Sequence, residues 1–452
     1  MKCTLVNFNA PITACHRPSL SPELMAATGA RYSRNNEGLQ DILSKIDMSN
    51  PDKSVDSIFK MVDYGHASIA DMAPVSIFID GISILLAFWL WHICPTASGQ
   101  ESSTRYIRYN SNSMLGKEDL GMESNDLYTA QSRSFLQYER YVVDWADYGK
   151  SHPDKMRVPE ELKTTDEKKW LRMVRNYSFD RARVFLPLSA RTNVMMIQSA
   201  RQWVETISYL LSFPCKEFND LGEMLKNELN LATPRLTKYA VPKESTTIFI
   251  QDRLNYVSKL MNSWEVVDKD HLGWVEFNNM VSNHALGMLK HRENRYSLFP
   301  ESFKTMPISF GWKYASMGEI RDLNRHRTGG KKFSWAPNGF YNAQDQVDSS
   351  EKLHYNLANH AIKEMYANYE LCWKYLKEGK FEGLYMLNLG HTFEFEHSTM
   401  LDKYLYESEL RTGIGSHYAY SRMMHETIDA LNENYIPGIK DVLHIGTAEP
   451  EL

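Results

Sequence analysis

The sequence predicts a fold of mixed strands and helices that is built twice. Three observations carry this reading. The same order of elements recurs in the two halves of the 452 residues. A polar segment with two prolines, ATPRLTKYAVPKESTT at 232–247, separates them. The composition, 43% hydrophobic, supplies apolar surface for real cores, and the length leaves room for two or three domains of usual size.

In the first half, VSIFIDGISILLAFWLWHICP (75–95) approaches the length of a membrane span, but Asp80, Gly81 and His92 interrupt it. It reads instead as a buried strand from Val75 to Ile79 and a helix from about Ile82 to Ile93. That helix is apolar all round, which suits a core or a large subunit interface with Trp89, Leu90 and Trp91 at its centre. A polar, glycine-containing loop follows and ends in the aromatic residues of ESSTRYIRY. Next comes a long amphipathic helix, 128–150, and then a segment from Arg181, RARVFLPLSARTNVMMIQSARQWVETISYLLS.

The second half repeats the plan. MPISFGWKYASMGEIRDLNRHRTGGKKFSWAPNGFY starts at Met306 and reads as strand, helix and polar glycine-containing loop. The long helix is 355–380, and the third segment starts at Gly383. Identity between the halves is low, so the repeat rests on order and spacing. The expected units are 1–240 and 241–452.

Composition restricts the function. The formal charge of −5 offers no basic excess for nucleic acid, so any anion site must be a local cluster. The five cysteines, Cys3, Cys15, Cys94, Cys215 and Cys372, are scattered without a CxxC. That suits a reducing compartment and gives no metal framework. The first residues lack the apolar stretch of a secretory signal, so a cytoplasmic protein is expected. Neither GxGxxG before a helix, nor a Walker A loop, nor HExxH occurs.

A local cluster does exist in DLNRHRTGG, 322–330. Gly329 and Gly330 read as helix C-cap residues, and Arg325, His326 and Arg327 then lie where the macrodipole favours cations. The other reading is a cradle for an anionic ligand.

The order RHR, then E-x-S-x-R-Y, then AR-x-x-LP, then LR-x-x-x-H resembles the flavin-dependent thymidylate synthase family, in which a HxSxxEH stretch lies upstream. The resemblance implies an α+β fold with an antiparallel or mixed sheet flanked by long helices. It also implies FAD as cofactor, NADPH and methylenetetrahydrofolate as cosubstrates, and methylation of dUMP to dTMP. The family assembles as a homotetramer with active sites between subunits.

This chain looks like two such units in tandem, forming an internal pseudo-dimer. The first half keeps HASIADM (66–72), with Asp71 and Met72 replacing the family's Glu and His. It also keeps ESSTRY (101–106), ARVFLP (182–187) and SAR (199–201). Trp91, His92 and Ile93 stand where RHR would be, and Leu210 stands for the arginine of LR. The second half keeps RHR at 325–327 but has lost E-x-S-x-R, and no arginine precedes Leu387. ELRTGIGSH (409–417) keeps Arg411 and His417 with two extra residues between them. The losses are complementary, so a composite site from both halves is expected, and a homodimer would rebuild a pseudo-tetramer.

The resemblance implies roles for these residues. Arg105 and Arg183 would take the nucleotide phosphate, as planar, permanently charged donors can. Ser103 would donate its hydroxyl, and Glu101 would bond through its carboxylate or through backbone NH groups of its loop. Arg411 is the candidate catalytic residue, at the pyrimidine edge. FAD would be held by Arg325, His326 and Arg327, with His66, Ser68 and Arg201 from the other half and His417. No cysteine nucleophile is needed, because a hydride from reduced flavin reaches the ring directly, leaving orientation and electrostatics to supply the acceleration. The plainer alternatives are a surface arginine at 105, an ion pair at 183 and a helix-end cation at 411. Competing functions are a related flavin enzyme acting on another pyrimidine nucleotide, and a non-catalytic flavin- or nucleotide-binding protein.

Overall fold

The computed structural model describes residues 1–6, 20–36, 38–47, 49–63, 67–94, 96–156, 161–261, 264–267, 270–343 and 352–448. Among them the chain is a mixed α+β protein with two sheets and many helices. It divides into two compact units that interleave the halves of the sequence. The first comprises Met1–Ser102, Leu115–Glu123 and Ala190–Arg253; the second comprises Ser103–Met114, Ser124–Ser189 and Leu254–Leu452.

The first unit holds a four-stranded sheet of β1 (Lys2–Val6), β2 (Pro74–Ser83), β3 (Ser98–Glu101) and β4 (Arg191–Ser199). The order is β1-β2-β4-β3 and every pair is antiparallel. β2 is rich in β-branched residues, has partners on both edges, and buries Val75, Ile77, Ile79 and Ile82. It runs to Ser83, further than the sequence suggested. There the Ser83 hydroxyl accepts from the Leu86 N–H at 2.9 Å and starts the helix Ile84–Ile93.

Every side chain from Ile84 to Trp91 is buried within the chain. Trp89 packs edge-on against Phe213 at 5.8 Å and Phe218 at 6.1 Å. Trp89, Leu90 and Trp91 are thus core residues of this chain. Among the described residues no helix is long and apolar enough to cross a membrane.

The second unit holds a five-stranded sheet of β5 (Glu265–Val267), β6 (Gly273–Phe277), β7 (Pro307–Ser316), β8 (Gly330–Tyr341) and β9 (His391–Met400). The order is β5-β8-β9-β7-β6, with only β5 and β8 parallel. Two 26-residue helices, Asp126–Ser151 and Lys352–Lys377, belong to this unit. Asn368 ties them, its Nδ2 donating to Ser134 Oγ at 3.0 Å and Ala130 O at 3.3 Å.

The connectivity β2-β4-β3 in one sheet is that of β7-β9-β8 in the other. β2 and β7 each have ten residues, begin with proline, end with serine at a helix start, and carry an irregularity near the same point.

Two readings of 322–341 are corrected. The helix Met317–Leu323 ends with Asn324 as its C-cap, five residues before Gly329, the first of the glycines expected there. Gly329 instead serves a close strand approach: its φ is +75°, and a Cβ would lie 2.1 Å from Ser398 O. The segment expected as a polar loop is strand β8, paired with β9 from Gly330 to Phe340.

Candidate active site

Arg105, Arg183, Arg411 and His417 come from both halves of the sequence and lie in the second unit. Arg105 forks onto Asp180, with Nε–Oδ1 at 2.5 Å and Nη2–Oδ2 at 3.1 Å. Ser103 Oγ accepts from the Arg105 N–H at 3.2 Å, so the hydroxyl shapes the turn that presents this arginine. Arg183 opens the short turn Arg183–Phe185 and is 2% exposed. Its Nη2 lies 3.3 Å from Asp322 Oδ2 and 3.5 Å from Glu319 Oε1, and its Nη1 donates to Thr104 Oγ1 at 3.5 Å.

Arg411 lies in the last turn of helix Leu401–Thr412. Its Nη2 donates to Asp322 O at 2.9 Å and its Nε donates to His326 Nε2 at 2.7 Å. Its guanidinium sits 5.2 Å from the Tyr420 ring. Accepting from Arg411 requires a bare Nε2, so His326 is a neutral imidazole. Burial, with Arg411 beside it, pushes its pKa down to about 3 despite Glu407. The expected cationic role of His326 is therefore replaced by that of an acceptor that orients Arg411.

His397 ties the same segment down. Its Nε2 donates to Thr328 O at 2.7 Å, and its Nδ1 lies 3.1 Å from Glu407 Oε2. Burial raises the Glu407 pKa, but the contact with His397 and the nearby Arg411 guanidinium outweigh it and keep the carboxyl low. Arg325 and Arg327 project from this segment as exposed side chains.

The electrostatics divide the cluster. Burial opposes the charge of Arg105, but Asp180 beside it raises its pKa; Asp322 and Glu319 do the same for Arg183. Asp180, despite burial, is held at about 2 by the Nε2–H of His417 beside it and the guanidiniums of Arg105 and Arg183. Asp322 is also lowered against burial, mainly by Arg183. Glu319 differs: burial, helped by Asp322, lifts it to about 7 against the pull of Arg183.

A carboxyl raised in the folded state contributes stability below its ordinary pKa of 4.5 and loses it as pH rises through about 7. Glu319→Gln should remove this dependence. Across that window wild type is expected to lose stability relative to the variant by up to about 3 kcal/mol. Urea midpoints measured at several pH values check it; parallel profiles would refute it.

The remaining candidates lie elsewhere. His66 is outside the described residues. Ser68 is exposed in the turn Ala67–Met72 of the first unit. In that unit Arg201 is paired with Asp71 at 3.1 Å and Glu205 at 3.5 Å. Glu101 ends β3 opposite Val194. Two cavities of the first unit, about 280 Å³ and about 260 Å³, are lined by none of the candidate residues.

Cys3, Cys94 and Cys372 are buried, and burial raises each thiol pKa, Cys3 to about 12. Cys215 is buried too, and Cys15 lies outside the described residues. Among the described residues no group of three or more His, Cys, Asp or Glu side chains could hold a metal ion.

Sequence reasoning missed Asp180, Glu319, Asp322 and Glu407. Only Glu319 had a local signal, as the fourth residue of the capping-box pattern Ser316-Met317-Gly318-Glu319. The box does not form: Ser316 makes no side-chain cap bond, and Glu319 turns toward Arg183 and His417.

Residues 19–234 match the family described as thymidylate synthase complementing protein. The matched segment is a little under half of the chain. It contains Glu101, Ser103, Arg105, Arg183 and Arg201, and it ends before Arg325. The family match therefore covers the residues expected at the phosphate and stops short of the second half, where Arg411 lies.

The chain is 22% identical over 329 residues to the UPF0159 protein Ta1429 of Thermoplasma acidophilum, covering 66% of this chain and 64% of that relative. It thus spans less than two thirds of the relative's length. Two structures of the UMP/dUMP methylase PolB from Streptomyces cacaoi, one bound with 5-Br dUMP and one with 5-Br UMP, show a faint likeness at 14% identity. The TM-scores are 0.31 and 0.30, covering 53% and 54% of this chain and 93% and 96% of theirs. At that level nothing about fold or function rests on them.

Proposed function

We propose that the chain is a flavin-dependent thymidylate synthase that methylates dUMP at C5, at a composite site built from both halves of a duplicated sequence. The observation that carries this reading is the gathering of Arg105 and Arg183 with Arg411 and His417 in one unit. The family of residues 19–234 and the matching sheet connectivities support it. The duplicated units of the sequence remain 1–240 and 241–452, although the compact units cut across them. A homodimer acting as a pseudo-tetramer belongs to the same proposal, and sedimentation equilibrium tests it.

The nucleotide phosphate is assigned to Arg105 and Arg183, with Ser103 and Glu101 on its loop. Binding exchanges part of each arginine's carboxylate pairing for phosphate, a similar charge-assisted geometry. The pyrimidine is assigned to Arg411. A guanidinium at its O2/N3 edge favours the electron-rich, N3-deprotonated ring. His326 fixes the direction of that guanidinium by accepting from Nε.

FAD is assigned to the second unit at Arg325 and Arg327, two exposed permanent cations on one segment that would suit a diphosphate. His66, Ser68, Arg201 and His417 remain proposed flavin contacts. The cofactor would supply the hydride, drawn from NADPH, and methylenetetrahydrofolate the one-carbon unit.

Purified protein should be yellow with a flavin spectrum and should release tritium from [5-³H]dUMP. A colourless protein would favour a nucleotide-binding role. A yellow protein without tritium release would favour a related flavin enzyme with another substrate. Arg325→Ala and Arg327→Ala should each weaken FAD binding by roughly 1.5–3 kcal/mol while leaving the protein folded. Unchanged flavin content after gel filtration in both variants would remove the assignment.

A further inference from the structure

Glu319 and His417 are fully buried in the second unit, and neither is needed to contact the substrate in the reading above. His417 is the N-cap residue of helix Tyr418–Asn434. Its Nε2 lies 3.3 Å from Asp180 O. A carbonyl only accepts, so Nε2 carries a proton there. Nδ1 then points toward Glu319 Oε1 at 3.5 Å. His417 Nδ1 and both Glu319 oxygens lack a hydrogen bond to any other residue. A bare imidazole nitrogen and an ionised carboxylate would be two acceptors face to face in a dry site, an unfavourable arrangement that one proton removes.

We propose that Glu319 stores one proton for the arginine cluster, as a carboxylic acid directed at His417 Nδ1, and that this proton leaves the cluster net positive for a phosphate-bearing ligand. The charge count follows from geometry. With Glu319 neutral, four guanidiniums (Arg105, Arg183, Arg411 and Arg422) face three carboxylates (Asp180, Asp322 and Glu407). With Glu319 ionised the carboxylates equal the guanidiniums, and the attraction for an anion falls.

The groups around the pair explain why the proton sits on the carboxyl. Facing Glu319 are Arg183, Asp322 from its own helix, and His417 and Arg422 from helix Tyr418–Asn434. Arg183 is shared with Asp322, so Glu319 receives only part of that cation. Facing His417 are Asp180, Arg105 and Arg183, with the rings of Tyr418 at 4.4 Å and Tyr420 at 5.5 Å. Two guanidiniums nearby disfavour an imidazolium. Burial, with those cations, lowers His417 to about 3, while burial raises Glu319 to about 7. The contrast is His397 and Glu407, also buried, where the His397 contact and the nearby Arg411 keep the carboxyl ionised.

The pH-linked binding part rests on the phosphate site proposed above; the stored proton does not. In the ligand-free wild-type protein, ¹⁵N-histidine NMR at neutral pH should show His417 with a protonated Nε2 and a bare Nδ1. The infrared difference between wild type and Glu319→Gln should contain the carbonyl stretch of a protonated carboxylic acid. An imidazolium signature for His417, or no acid band, overturns the proposal. Should the variant fail to fold, the wild-type NMR spectrum alone decides. dUMP affinity should fall about tenfold per pH unit above neutral in wild type and stay flat in Glu319→Gln. Equal pH profiles overturn the charge-setting role. If dUMP does not bind wild type at all, the phosphate reading fails, and the spectroscopy still judges the proton.

Discussion

Arg183→Ala is expected to destabilise the second unit by roughly 3–5 kcal/mol, the range for removing one partner of a buried ion pair. The side chain is 2% exposed and serves Glu319 and Asp322 at once. Its removal leaves two carboxyls without their cation, and water cannot reach Glu319 to replace it. The loss should shrink in acid, as Asp322 joins Glu319 in its protonated form. Arg183→Lys should fall between, because a single ammonium cannot serve Thr104 and both carboxyls as the guanidinium does. Urea unfolding of the three proteins at neutral and acid pH measures this. A neutral-pH loss below about 1 kcal/mol would mean that the cluster is solvated and that its charge argument is wrong.

Arg105→Ala and Arg411→Ala should separate binding from catalysis. Phosphate contacts hold ground state and transition state alike, so Arg105→Ala should raise the KM for dUMP roughly 10- to 150-fold with kcat little changed. The charge opposite Arg411 develops as the ring is activated, so Arg411→Ala should lower kcat by about 100-fold or more. His326→Ala should reproduce part of that loss, since it frees the guanidinium without removing it. Steady-state kinetics with dUMP gives both constants. Wild-type kcat in Arg411→Ala would end its role at the pyrimidine. A crystal structure with nucleotide contacted by one half alone would end the composite site.

Local periodicity was sufficient for the long helices. The expected 128–150 and 355–380 are observed as Asp126–Ser151 and Lys352–Lys377, because an amphipathic stripe is written within each segment. The strand and apolar helix after Pro74 were legible for the same reason. The segment GKKFSWAPNGFY was not. Its glycines and Pro337 read as turn chemistry, yet it is strand β8, because β9, sixty residues on, supplies its ladder. Pro337 is accommodated at an irregularity in that pairing.

The residue types and order of Arg105, Arg183, Arg325, Arg327, Arg411 and His417 were determined by sequence alone, and they carry the family resemblance. Their state was decided by tertiary structure. Nothing near His326 in the chain says that Arg411 will donate to it and keep it neutral. Nothing near Glu319 says that Arg183, Asp322 and His417 will enclose it. Periodicity reports neighbours three and four residues away, whereas the charge of a buried group depends on desolvation and on partners within a few ångströms, drawn here from positions 105, 180, 183, 319, 322 and 417.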